Sequence, residues 1–311
     1  MKKIWTFSLL VAGVFAAAIA AQQLNQTPGQ GIFYRVSGGK NEMYLLGSIH
    51  VGSKEMYPMA KEILDAINKA DVIVFECDTT SSEAQASTAR MMKSEIRLSE
   101  RIGPACLEKV EQAAKKLGYS MEILEKMDPW AVTSMITVAA AADEMEAGSS
   151  KTASAFGVEN MVRKEIKNQR VTYLETAEEQ LGLMEAFSPE LQEYLLSSAC
   201  DAVLDPEKKS ASDQDVDRWP DWWKEGNARA FADSYIRGMS GEASPELANE
   251  YHQSLLVRRN QHMAQNLQQM LEEGENKKIL AVVGLMHLVL PEDSIISELE
   301  ALGYSTEQIV Q

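Results

Sequence analysis

Two short stretches of this chain place a histidine three residues after a glycine that follows an apolar run: Leu45-Leu46-Gly47-Ser48-Ile49-His50 and Ala281-Val282-Val283-Gly284-Leu285-Met286-His287. The sequence holds four histidines, so half of them share this context. Imidazole titrates near neutrality and is the commonest metal ligand among side chains. A glycine at a strand end lets the backbone turn sharply or pass close to a ligand. Metal binding or acid–base work by two imidazoles is the chemistry this pattern would serve. Two further apolar runs end on carboxylates, Val72-Ile73-Val74-Phe75-Glu76 and Val171-Thr172-Tyr173-Leu174-Glu175. Two imidazoles and one or two carboxylates suit a divalent transition metal with open positions, where bound water is acidified and attacks an acyl carbon. Arg258-Arg259-Asn260 adds donors of the kind that steady a carbonyl oxyanion.

These groups meet only if the strands carrying them are neighbours. Residues 31–37 and 43–46 flank Gly38-Gly39-Lys40-Asn41, which predicts a hairpin whose second strand ends at the first histidine. After Pro58, apolar residues at Met59, Ile63, Ala66, Ile67 and Ala70 predict a helix, and 71–76 reads as a buried strand. Strand, helix and strand make a right-handed crossover that brings His50 and Glu76 to one sheet edge, where open sheets bind ligands. Pro291 opens a segment like that after Pro58, so both histidines are expected in a strand, turn, histidine, helix unit. Between them, helices are predicted over 104–117, 121–127, 129–146, 159–167, 177–187, 189–203, 222–237 and 245–273, several opened by proline. One strand, 170–175, interrupts them. Strands at 278–283 and near 308–310 follow. The expected fold class is α/β, a mixed β-sheet built around the two Gly-x-x-His units with a large helical insert at about 104–273. No Gly-, Pro- or Ser-rich linker divides the chain, so 29–311 reads as a single domain. His252 and His262, ten residues apart on the late helix, fall on different faces and read as surface residues. The Trp219-Pro220-Asp221-Trp222-Trp223 cluster and most methionines read as core.

Composition narrows the function. Lys2 and Lys3 precede an uncharged apolar stretch, 4–21, with the small residues Ala18 and Ala20, which reads as a secretory signal cut near Ala20 or Ala21, an uncleaved anchor being the alternative. Its removal leaves 28 basic residues against 46 acidic ones, a formal charge of −18. Such a surface repels phosphate backbones and argues against nucleic acid. Cys77, Cys106 and Cys200 lack zinc-finger spacing, and any one pair could bridge in an oxidising compartment. The sequence has no Gly-x-Ser-x-Gly, phosphate loop, dinucleotide fingerprint or His-Glu-x-x-His.

These residues resemble the TraB/PrgY/GumN family, which includes the animal TIKI proteins. The matching stretches run in order from Gly47–His50 through Val74-Phe75-Glu76, Gly157-Val158-Glu159, Tyr173-Leu174-Glu175-Thr176 and Arg259-Asn260 with Met263 to Gly284–His287 and Leu288. Glu159 stands where the family usually has Asp, and Leu290 where its pattern often has Gly. The resemblance implies a metal-dependent protease with manganese or cobalt, zinc or iron being the other candidates. It implies His50, His287 and Glu76 at the metal, and Glu159, Glu175, Arg259 and Asn260 as further site residues, the first two on the substrate side.

The function expected is therefore a periplasmic or secreted metal-dependent hydrolase acting on a peptide or protein. His50 and His287 would hold the metal, Glu76 would ligate it or act as general base, and Arg259 with Asn260 would stabilise the oxyanion. The alternative is a non-catalytic protein that sequesters a peptide or a haem-like ligand. No membrane span is expected beyond the N-terminal segment.

Overall fold

The computed structural model describes residues 27–146, 152–205, 215, 218–239, 243–274 and 276–310, so the leader expected over 1–21 lies outside the described residues. Among the described residues eight strands carry the sheet structure: β1 Ile32–Ser37, β2 Glu42–Ser48, β3 Gly52–Ser53, β4 Val72–Phe75, β5 Thr152–Ala153, β6 Arg170–Tyr173, β7 Lys278–Gly284 and β8 Ser305–Gln308. Six of them form one mixed sheet in the order β6-β4-β7-β2-β1-β8. The α/β class read from the sequence is what the chain adopts, with helices alternating with a largely parallel sheet.

The hairpin turns at Gly38, whose φ of 112° is open to glycine, and pairs β1 with β2 from Ile32↔Gly47 to Val36↔Met43. The strands β6, β4, β7 and β2 are mutually parallel, so their carboxyl ends share one edge. β7 arrives late in the chain yet lies between β4 and β2, and Ile279 to Val283 are all buried. That is why it reads as an unbroken apolar run: a parallel strand covered on both faces has no polar side to alternate with. The helix Lys61–Lys69 buries Ile63, Ala66 and Ile67 against the sheet. The helix Arg258–Glu272 buries Met263, Ala264, Leu267 and Leu271 there, a stripe at helical spacing. Trp223 is fully buried and donates Nε1–H to the Gly47 carbonyl at 2.8 Å, which anchors the end of β2.

The helices between the histidines are not of one kind. Leu98, Val110, Leu124, Val132, Ile136, Leu196 and Cys200 form a separate apolar cluster, whereas Trp222, Trp223, Phe231 and Met263 join the cluster under the sheet. The helix predicted over 222–237 is two, Trp219–Glu225 and Ala228–Met239, because Gly226 turns left-handed (φ 70°) between them. The one predicted over 245–273 is interrupted by a π-turn at Gln253–Val257. The helix Ser82–Met91, capped by Ser81, was not legible because its burial is slight and its composition polar. All three cysteines are free and buried. Among the described residues no helix is long and apolar enough to cross a membrane.

The two histidine units are not copies in three dimensions. In the first, β3, a tight turn and Pro58 intervene before the helix at Lys61. In the second, His287 lies inside the short helix Met286–Val289, and the next helix begins at Ile295. The register explains the divergence: Gly47 pairs with Val283 and Ser48 with Gly284, so the glycines are offset by one residue. A one-residue offset turns them to opposite faces of the sheet.

Candidate functional site

Glu76 leaves β4 at the carboxyl edge and Glu175 follows β6 beside it, its N–H donating to the Glu76 carbonyl at 2.8 Å. Between the two carboxylates stands Arg259, from the first turn after the π-turn. Its Nη2 donates to Glu76 Oε2 at 2.6 Å and to Glu175 Oε2 at 2.7 Å, and its Nε reaches Glu175 Oε1 at 3.2 Å. Gln180 braces the same pair, donating to Glu76 Oε2 at 3.2 Å and Glu175 Oε2 at 3.0 Å. Gln180 in turn accepts from the Cys77 thiol at 3.1 Å. Burial and the surrounding carboxylates push that thiol up to about 12, so it stays protonated. The other oxygen of Glu76, Oε1, accepts the Gly284 N–H. An ionised carboxylate offers about four acceptor sites. Three are taken, and the remaining one is on the oxygen that faces His287.

His287 is buried, and its Nε2 lies 3.7 Å from Glu76 Oε1. Its Nδ1 is 2.6 Å from Oδ1 of Asn260, which is wholly buried and donates through Nδ2 to the Asp293 carbonyl. The amide thus turns its accepting end to the ring, an arrangement that favours the hydrogen on Nδ1 and the lone pair on Nε2. Burial pushes the imidazolium down to about 4, against the pull of Glu76, so His287 is neutral at physiological pH. Burial would raise the Glu76 carboxyl, but the imidazolium that exists at low pH, Arg259 and the Gly284 N–H hold it at about 2. Two carboxylates balanced by one guanidinium leave one negative charge here. At the centre, Glu76 Oε1 and His287 Nε2 stand 3.7 Å apart, beyond hydrogen-bond reach.

Gly284 makes this approach possible. A Cβ there would come 3.0 Å from Glu76 Oε1 and 3.4 Å from His287 Cδ2. Gly47 serves a different contact. A Cβ there would come 2.9 Å from Leu285 Cβ, so the first motif's glycine seats the second motif's loop. His50 is exposed, in the bend between β2 and β3. Its carbonyl is approached by Gly157, where a Cβ would lie 2.3 Å away, and Val158 N–H donates to the Ile49 carbonyl at 3.1 Å. Glu159, one residue on, pairs with Arg163 at 2.8 Å, and Arg163 lies 3.9 Å above the Phe75 ring. An open cavity of about 440 Å³ adjoins Glu175, walled by Thr172 to Glu179, Asp78, Glu83 and His262.

His287 Nε2 and Glu76 Oε1 are the two donor atoms that would hold a divalent ion at this edge. Among the described residues no group of three His, Cys, Asp or Glu is close enough to hold one. Of the set His50, His287 and Glu76, the fold brings the last two together and leaves His50 at the rim. The donors of Arg259 are turned onto Glu76 and Glu175, and Asn260 is turned onto His287 and Asp293. Both residues, expected to steady an oxyanion, are engaged here with other groups of the site.

The profile of the TraB/PrgY/gumN family matches residues 32–308. The chain belongs to that family. The match runs from β1 to the end of β8, so it takes in every strand of the sheet and both Gly-x-x-His turns. The chain is also 24% identical over 148 residues to the uncharacterized protein YbaP of Escherichia coli K12, and equally to that of Shigella flexneri, covering 47% of this chain and 53% of each relative. It therefore spans about half the length of the curated relatives it matches. No solved structure matches. In this TraB-family chain, the residues that sequence reading missed are Gln180 and Asp293. A glutamine on a helix has no distinguishing pattern, and Asp293 acts through its backbone, which no side-chain motif records.

Proposed function

We propose that the sheet edge is the centre of a metal-dependent hydrolase that cleaves a peptide or protein, and that His287 Nε2 and Glu76 Oε1 are its fixed metal donors. The observation that carries this reading is the unbridged 3.7 Å gap between the two donor atoms, in a cluster with one uncompensated negative charge. Such an arrangement calls for a cation. Manganese or cobalt is the ion proposed, and the donors would equally accept zinc or iron. When bound, the ion would acidify a water and polarise an acyl carbonyl.

The chain's own residues prepare that chemistry. Asn260 fixes the imidazole with its lone pair outward, as ligating histidines require of their neighbours. Arg259 and Gln180 hold Glu76 in place. With its carboxyl held at about 2, Glu76 is a permanent anion and a weak proton acceptor, which favours ligation over general-base work. His50, exposed in its bend, is the third donor proposed and would have to turn inward. The cavity beside Glu175 has a volume typical of ligand sites and would receive the substrate. A periplasmic or secreted setting, read from residues 1–21, belongs to the same proposal.

The test is cleavage of a mixed peptide library by the purified chain with added manganese or cobalt. Cleavage abolished by a chelator and by His287→Ala is the expected result. Metal-loaded protein that leaves every peptide intact would overturn the reading.

A further inference from the structure

We infer that Asp293 is a positioning residue that sets the tautomer of His287, acting through Asn260. Asp293 has a φ of 56°, in the left-handed region that side chains other than Gly, Asn and Asp seldom enter. That turn brings its carbonyl onto Nδ2 of Asn260. An amide has one accepting and one donating end, so whichever group holds Nδ2 decides what Oδ1 faces. Here Oδ1 faces His287 Nδ1 at 2.6 Å. If the amide were reversed, Nδ2 would donate to Nδ1, the ring hydrogen would move to Nε2, and Nε2–H would point at Glu76 Oε1. The imidazole would then be spent as a donor to the Glu76 carboxylate. The Asp293 carbonyl therefore selects the form in which Nε2 is a donor of electrons.

The turn is held from both sides. The Asp293 carboxylate lies 3.9 Å from His252 Nε2, and His252 Nδ1 is 3.0 Å from the Tyr235 hydroxyl. The next residue, Ser294, caps the helix Ile295–Ala301 by accepting from Ser297 N–H. The consequence of the bend for catalysis rests on His287 being a ligand, while the tautomer itself does not.

The experiment is a two-bond proton–nitrogen spectrum of the metal-free full chain, labelled with nitrogen-15 in its histidines, at pH 7.5. His287→Gln identifies the His287 signals among the four histidines. The native protein is expected to show Nδ1–H at His287, although free imidazole side chains favour Nε2–H. Asp293→Gly, which accepts the left-handed turn, should keep that form. Asp293→Val, which resists it, and Asn260→Leu, which removes both bonds, should shift His287 mostly to Nε2–H. Should Asp293→Val fail to fold by circular dichroism, Asp293→Ala replaces it, with a partial shift expected. Nε2–H in the native protein overturns the inference, as does unchanged Nδ1–H in folded Asn260→Leu or in the folded non-glycine Asp293 variants. Absence of metal binding would sink the hydrolase reading alone, because this spectrum needs no metal.

Discussion

Arg259 decides whether two carboxylates can share the sheet edge. Its side chain is 12% exposed and each of its partners is held at 2.6–2.7 Å. Replacing it by methionine leaves Glu76 and Glu175 facing each other without a cation, which costs about 3–5 kcal/mol as for other broken buried pairs. Urea denaturation should record that loss, and Arg259→Lys should restore only part of it, because an ammonium cannot reach both carboxylates as a fork does. His287 makes the molecule acid-sensitive. The unfolded chain binds a proton at this residue from about pH 6.5 downward, and the native protein only near pH 4. The unfolded state therefore holds more protons between those values, and stability falls on acidification by roughly 3 kcal/mol across the window. Glu76 extends the loss below pH 4.5, since its native carboxyl stays ionised to about pH 2. Melting temperatures of metal-free protein should drop between pH 6.5 and 4, and His287→Gln should flatten that segment. Among single residues, the sequence made His50, His287, Glu76 and Glu175 visible by type and position. It could not show what each touches: Arg259 and Asn260 have the chemistry of oxyanion donors, and only the fold reveals that their partners are carboxylates, the imidazole and the Asp293 carbonyl.

The elements deliver these groups through close approaches that glycines permit. Gly284→Ala is expected to cost about 1–3 kcal/mol as an overpacking substitution, and to displace Glu76 or His287 because the new Cβ would stand 3.0 Å from Oε1. Its effect on metal uptake should exceed that of Gly47→Ala, whose Cβ meets Leu285 and Ile32 rather than a site residue. Parallel titrations of the two variants check the order. The strands were legible because β4 and β7 are runs of apolar and β-branched residues and β2 carries the apolar run Met43 to Leu46. The similarity of the two histidine units was legible too, but their difference was not. It lies in a register offset of one residue between β2 and β7, and register belongs to the pairing of strands, not to either strand's sequence.

Over the whole molecule, the sheet with its covering helices and the bundle formed by the helices that carry Leu98 to Ile136 and Leu196 to Val203 have separate apolar clusters. Ser188, at the start of the bundle's last helix, bonds Glu250 with its N–H and its hydroxyl at 2.6 Å, so a single cooperative transition is expected. Leu196→Ala in the bundle should lower its stability by about 2–5 kcal/mol without splitting it. Two resolved transitions in a calorimetric scan would show independent units. The long helical stretch was visible in the sequence as helix. Its division was not, because an amphipathic stripe says that a face is buried without saying against what. What the assembled edge leaves over is an unbalanced negative charge beside an imidazole lone pair. Elemental analysis of protein equilibrated with manganese or cobalt, and then freed of excess ion, reads directly whether a cation answers that charge. Close to one ion per native chain is expected, lost in His287→Ala and in Glu76→Gln. A native protein that retains no ion, or variants that retain as much as the native protein, would refute a metal centre at this edge.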